Sequence, residues 1–190
     1  MQELKLFMLL LGCRPVGRHT EQHDIFFGIG KQLSDLRQDI IDFWPEAKRN
    51  IHIDAWREVT QVDGWKISVV DKNENREPIK HLPEVHLFFL NLGGYKPGEF
   101  EEYHYKMILA CNDKATAIKK AKQTAFYRHT GFKGAASHID DKYGVDVDDA
   151  YMIADILPTR FKQQYRIVME NTSDENEDEL HLGYLRLEKI

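Results

Sequence analysis

Leu6-Phe7-Met8-Leu9-Leu10-Leu11-Gly12 decides the fold class. A run without a polar side chain and without alternation is the pattern of a central β-strand covered on both faces. The run returns 81 residues later as Leu87-Phe88-Phe89-Leu90-Asn91-Leu92-Gly93. At the same offset Gly17 falls on Gly98, Glu21 on Glu102 and His23 on His104. A second block, offset by 86 residues, sets His52-Ile53-Asp54 on His138-Ile139-Asp140, Val59 on Val145 and Asp63 on Asp149. Matches in one order along the chain predict a tandem duplication.

Each copy reads as strand, helical segment, strand, strand. Gly12-Cys13-Arg14-Pro15-Val16-Gly17 ends the first strand, and Thr20 with Glu21 and Asp24 suits a helix start. Ile25, Ile29, Leu33, Leu36, Ile40 and Phe43 then recur at helical spacing up to Trp44-Pro45. Asn50–Glu58 is expected as a strand, with Val62-Asp63-Gly64 turning into a partner at Trp65–Val70. The second copy is expected to place strands at Glu84–Leu92, Ser137–Tyr143 and Tyr151–Leu157, and helices around Glu101–Cys111 and Asp113–Arg128. The fold class is α+β: mixed sheets with a parallel crossover, helices on one face, and a C-terminal β-hairpin. The hairpin strands are Tyr165–Glu170 and His181–Leu187, joined by the acidic stretch Asn171–Glu179, read as a mobile, solvated loop. Residues 1–70 are copy one, 71–83 a linker, 84–157 copy two and 158–190 the hairpin extension, in one compact domain.

The chain has 190 residues, 42% hydrophobic and 30% charged, enough apolar mass to fill a core. A net charge of −5 argues against nucleic-acid binding, which shows as a basic excess. Lys114, Lys119, Lys120 and Lys122 accordingly read as a solvated helix face. No apolar run approaches the ~20 residues of a membrane helix, and no signal peptide is expected. Two cysteines, Cys13 and Cys111, suit a reducing cytoplasm and exclude a four-cysteine zinc site.

Three stretches carry a resemblance: Leu9-Leu10-Leu11-Gly12-Cys13-Arg14-Pro15, Arg18-His19-Thr20-Glu21-Gln22-His23-Asp24 and His52-Ile53-Asp54-Ala55-Trp56. In them the chain resembles a small bacterial family known as domain-of-unknown-function family 1543, whose unit occurs once or twice per chain. The resemblance covers Lys5–Val70 and Glu84–Leu157 and leaves the C-terminal hairpin outside. It implies a bacterial soluble protein and brings no established activity and no catalytic residue.

The densest titratable cluster is Arg14, Arg18, His19, Glu21, His23 and Asp24, between a central strand and an expected helix start. Arg14, Arg18 and His19 are the candidates for holding a small anion there, and a plain Gly/Pro/Arg turn is the alternative. His23, His52 and Asp54 are the catalytic candidates, as a His–Asp acid–base pair or around a divalent ion. His19 and His23, four apart, are the weaker candidates for metal ligation; no metal centre and no cofactor is expected. The expected register keeps these groups apart, because a helical His23 faces the sheet with Phe26 and Phe27 while His52 and Asp54 point away from the helices. In that case a histidine bonded to a carboxylate fixes a strand end. Asp146, Asp148 and Asp149 do not have calcium-loop spacing and read as a turn into Tyr151. Cys13, beside Arg14, reads as a small buried thiol.

The leading expectation is a non-catalytic cytoplasmic protein, a homodimer that binds a small anionic ligand or a protein partner. The alternative is an enzyme, a hydrolase or lyase using the His/Asp cluster with or without a divalent metal. No membrane and no nucleic-acid partner is expected.

Overall fold

β1 (Lys5–Cys13) hydrogen-bonds on one side to β2 (Gln22–Gly30) and on the other to β3 (His52–Glu58), antiparallel in both cases. Leu6, Phe7, Leu9, Leu11 and Cys13 are all buried, as a strand covered on both faces requires. The computed structural model describes residues 3–47, 50–73, 84–95, 98–130, 146–174 and 176–190. The chain divides into two units, Met1–Leu82 with Ile156–Ile190, and Pro83–Asp155.

The fold class α+β holds, but the expected helix after β1 is a strand. Ile25, Ile29 and Leu33 fit a helical period, yet Ile25, Phe27 and Ile29 fit a period of two equally well. β-branched and aromatic side chains interrupted by Gly28 and Gly30 favour the extended form. The helical spacing is real only further on. A 3-10 turn at Leu33–Leu36, which buries Leu36, leads into α1 (Arg37–Phe43), which buries Ile40. Every strand pairing among the described residues is antiparallel, so the parallel crossover is not there.

β4 (Gln61–Val62) turns at Asp63 and Gly64, both at positive φ, into β5 (Trp65–Asp71). The expected C-terminal hairpin is split instead. β9 (Tyr165–Asn171) pairs with β5, and β10 (His181–Arg186) pairs with β3. The first unit therefore holds a four-stranded sheet, β10-β3-β1-β2, and a three-stranded one, β4-β5-β9. The acidic connector between β9 and β10 is anchored, not free. The Asp178 carboxylate, 1% exposed, accepts hydrogen bonds from the Thr60 amide (3.0 Å), the Thr60 hydroxyl (2.6 Å) and the Gln61 amide (3.2 Å). Without it the corner between β3 and β4 would leave those donors unpaired. In the same unit, Arg160 of α4 (Thr159–Gln164) donates twice to Asp39 of α1.

The second unit contains β6 (His86–Tyr95), β7 (Glu102–Cys111), α2 (Lys114–Thr130), β8 (Asp146–Met152) and most of α3 (Ile153–Ile156). Its sheet order is β7-β6-β8, and Ala117 and Ala121 of α2 join a core with Phe88, Leu90 and Leu109. Two expectations are corrected here as in the first unit. The segment at Glu101–Cys111 is a strand rather than a helix, and Tyr151–Leu157 is the end of β8 followed by α3. The expected strand Ser137–Tyr143, with His138 and Asp140, lies outside the described residues. β8 stands to β6 as β3 stands to β1, each with one bulge residue, Asp148 and Asp54. Asp146 and Asp148 thus hold the registers of His52 and Asp54, an offset of 94 residues in place of the expected 86.

Candidate functional site

Gly12 of β1 pairs with His23 of β2 and with His52 of β3, so the three residues form one row across adjacent strands. Residues in such a row share a sheet face. Because Gly12 has no side chain, the His52 imidazole and the Asp54 carboxylate fill the space where its Cβ would stand. A Cβ at Gly12 would collide with His52 Nε2 and Asp54 Oδ2. Asp54 reaches this face because the pairing of β1 with β3 shifts between Leu10 and Leu11, which oppose Ala55 and Ile53 and leave Asp54 as the extra residue. Bulges re-aim a side chain in this way. Glu21, immediately before β2, completes the set.

The four side chains make a ring in which carboxylate and imidazole alternate. His52 Nε2 lies 3.0 Å from Glu21 Oε1 and 3.3 Å from Asp54 Oδ1. His23 Nε2 lies 3.3 Å from Asp54 Oδ2 and 3.7 Å from Glu21 Oε2. Each carboxylate thus turns one oxygen to each imidazole. The burial is graded: the His52 side chain is 9% exposed, Asp54 26%, and His23 and Glu21 close to half. The Tyr184 ring covers His52 at 4.3 Å between centroids. Asp54 Oδ2 is buried and has no hydrogen-bond partner, although His23 Nε2 stands 3.3 Å away.

The expected separation of His23 from His52 and Asp54 is overturned, because it rested on a helix that is a strand. His19, by contrast, is exposed on the β1–β2 connection and appears in none of the ring contacts. Arg14 and Arg18 are exposed on that same connection, where the Arg18 amide donates to the Pro15 carbonyl in a tight turn. No helix starts there, so the anion site expected from Arg14, Arg18 and His19 loses the helix terminus it was built on. The Cys13 thiol is fully buried, and burial followed by the charge of Glu21 pushes its pKa up, away from nucleophile chemistry. Asp148 and Asp149, expected in a turn, stand in β8 instead.

Glu21, Tyr184 and Asp178 were missed as partners. A signal for Glu21 was present, since it recurs as Glu102 at the offset that joins His23 to His104. No local pattern announced Tyr184 or Asp178, whose partners lie more than a hundred residues away.

Residues 18–69 match the model of a family described as Domain of Unknown Function (DUF1543), which supports that family for the stretch holding His23, His52 and Asp54. Among curated proteins none matches the chain. The chain is similar in fold to the crystal structure of a protein Il1583 from Idiomarina loihiensis. The two are 20% identical, the comparison covers 97% of this chain and 98% of that one, and the TM-score is 0.64. No helix among the described residues is long and apolar enough to cross a membrane.

Proposed function

We propose that Glu21, His23, His52 and Asp54 hold a divalent ion of the zinc class, and that the ion takes a small anionic ligand from the solvent side. The observation that carries this reading is the alternation of two imidazole Nε2 atoms with two split carboxylates, at spacings of 3.0–3.7 Å. A tetrahedral zinc ion spaces its ligand atoms about 3.3 Å apart. Here each imidazole meets each carboxylate near that spacing, but through a different oxygen, so one oxygen of each carboxylate must swing inward to meet the ion with both imidazoles. Imidazole with carboxylate is a donor set that suits zinc and its neighbours. His52 and Asp54 form the firm half of the site, and the exposed Glu21 and His23 have the freedom to close onto the ion. The open side leaves room for the ion to expand to five-coordinate and take the anion as its fifth ligand.

The same exposure favours a hydrolase as the second reading, with Glu21 as a general base at the rim. The matching registers of β1-β2-β3 and β6-β7-β8 support a tandem duplication, from which the third strand has diverged most. Leu182 and Tyr184, exposed on the edge strand β10, support a homodimer, which light scattering tests. Two cysteines buried as thiols, Cys13 and Cys111, support a reducing, cytoplasmic setting.

The test is calorimetric titration of zinc into chelator-treated, tag-free protein. One tight equivalent is expected, weakened about tenfold or more in His52→Ala and in Asp54→Asn. Equal binding by wild type and both variants would remove the reading.

A further inference from the structure

The second unit repeats the architecture of this site with a different set of donors. Gly93 of β6 pairs with His104 of β7, as Gly12 pairs with His23. Asp148 is the bulge residue of β8, and a Cβ at Gly93 would run into its carboxylate. Glu102 stands before His104 as Glu21 stands before His23. The ligand atoms of Glu102, His104 and Asp148 all lie within 4.8 Å of one another. His104 Nε2 is 3.8 Å from Glu102 Oε2, and its Nδ1 is 3.4 Å from Asp148 Oδ2.

Two features set this cluster apart from the first. The register of the second imidazole, His52, is held by Asp146, so one nitrogen donor gives way to an acid at that strand position. In addition, Asn91 brings a carboxamide between His104 Nδ1 (3.3 Å) and Asp149 Oδ2 (3.4 Å), while its own Oδ1 is buried and without a hydrogen-bond partner.

We infer that Glu102, His104 and Asp148 form a second cation site whose oxygen-rich donor set suits a hard divalent ion of the manganese class. Carboxylate and carbonyl donors suit manganese, magnesium and calcium, and a single imidazole tilts the set toward manganese. The zinc-class site has two imidazoles and two carboxylates; this one has one imidazole among oxygens.

The experiment uses the full chain and manganese(II) itself, read by loss of the free-ion paramagnetic resonance signal. Wild type is expected to take up one equivalent. His52→Ala, in the first unit, is expected to leave that uptake unchanged. Asp148→Asn and Glu102→Gln, both near-isosteric, are expected to weaken it about tenfold or more, with circular dichroism showing the fold intact. Should either of these two variants fail to fold, His104→Gln serves in its place with the same expected loss. No uptake by wild type at millimolar manganese, or unchanged uptake in both second-unit variants, would overturn the inference. So would uptake lost in His52→Ala and kept in Asp148→Asn, because the ion would then sit in the first unit. Zinc titration of His52→Ala and of Asp148→Asn assigns the zinc to one site or the other, so the failure of one assignment is not the failure of the other.

Discussion

His23 Nε2 stands 3.3 Å from Asp54 Oδ2, although their strands, β2 and β3, are not neighbours but flank β1. Side chains on strands two apart meet only if the strand between them presents nothing, and Gly12 is what stands between. The close approach of the two groups therefore depends on the absence of a single Cβ.

Gly12→Ala is accordingly expected to push His52 and Asp54 off the site, at a cost of about 1–3 kcal/mol for the overpacking. Zinc should no longer raise the melting temperature of this variant, whereas it raises that of wild type. Thermal melts of both proteins with and without zinc check this, and an equal zinc shift in the two would contradict it.

Asp178 is expected to be a structural residue of the connector between β9 and β10. Its carboxylate satisfies three donors and lies 3.9 Å from the partly buried Arg57 guanidinium. Asp178→Ala leaves all of them without that partner and should cost about 2–4 kcal/mol in urea unfolding. Asp178→Asn keeps an acceptor and should cost less than half as much. Neither change should alter zinc affinity, because Asp178 makes no contact with the ring.

Asp113 caps the start of α2, with the Thr116 amide and hydroxyl donating to its two oxygens at 2.8 Å each. The Thr116 amide, then the Thr116 hydroxyl, holds the Asp113 carboxyl below its usual pKa. Folding therefore gains from the ionised form. That gain is complete above about pH 4, the value for an unfolded aspartate, and is lost as pH falls through the lower native value. Asp113→Ala should lower the stability of the second unit at neutral pH and flatten its acid dependence. Asp113→Asn should keep much of the neutral stability and also flatten the dependence. Urea unfolding between pH 2 and 6, followed by circular dichroism, checks both.

Much of this could be read from residue order, and the rest could not for identifiable reasons. The apolar runs at Leu6 and Leu87 marked both central strands, and the offset of 81 residues between them runs through β1–β2 and β6–β7 alike. The match of His52-Ile53-Asp54 falls on His138-Ile139-Asp140, which lie outside the described residues, while the strand that holds the β3 register in the second unit is β8, at an offset of 94 residues. Ile25, Phe27 and Ile29 satisfy two periods at once, and only pairing with β1 decides between them. A helix and a strand send His23 to different faces, so the choice of period decides whether His23 reaches the side of the sheet that holds His52. The partnership of β5 with β9 and of β3 with β10 spans about a hundred residues or more, and no local pattern encodes it.

The account rests on His23 and His52 sharing one ion through their Nε2 atoms, and long-range proton–nitrogen correlation of the imidazoles reads those atoms one by one. On addition of one equivalent of zinc, the Nε2 resonances of His23 and His52 are predicted to shift together while their Nδ1 atoms stay protonated, and His19 and His181 are predicted not to move. Nε2 resonances of His23 and His52 that remain where they were, or a shift confined to only one of the two, would contradict it.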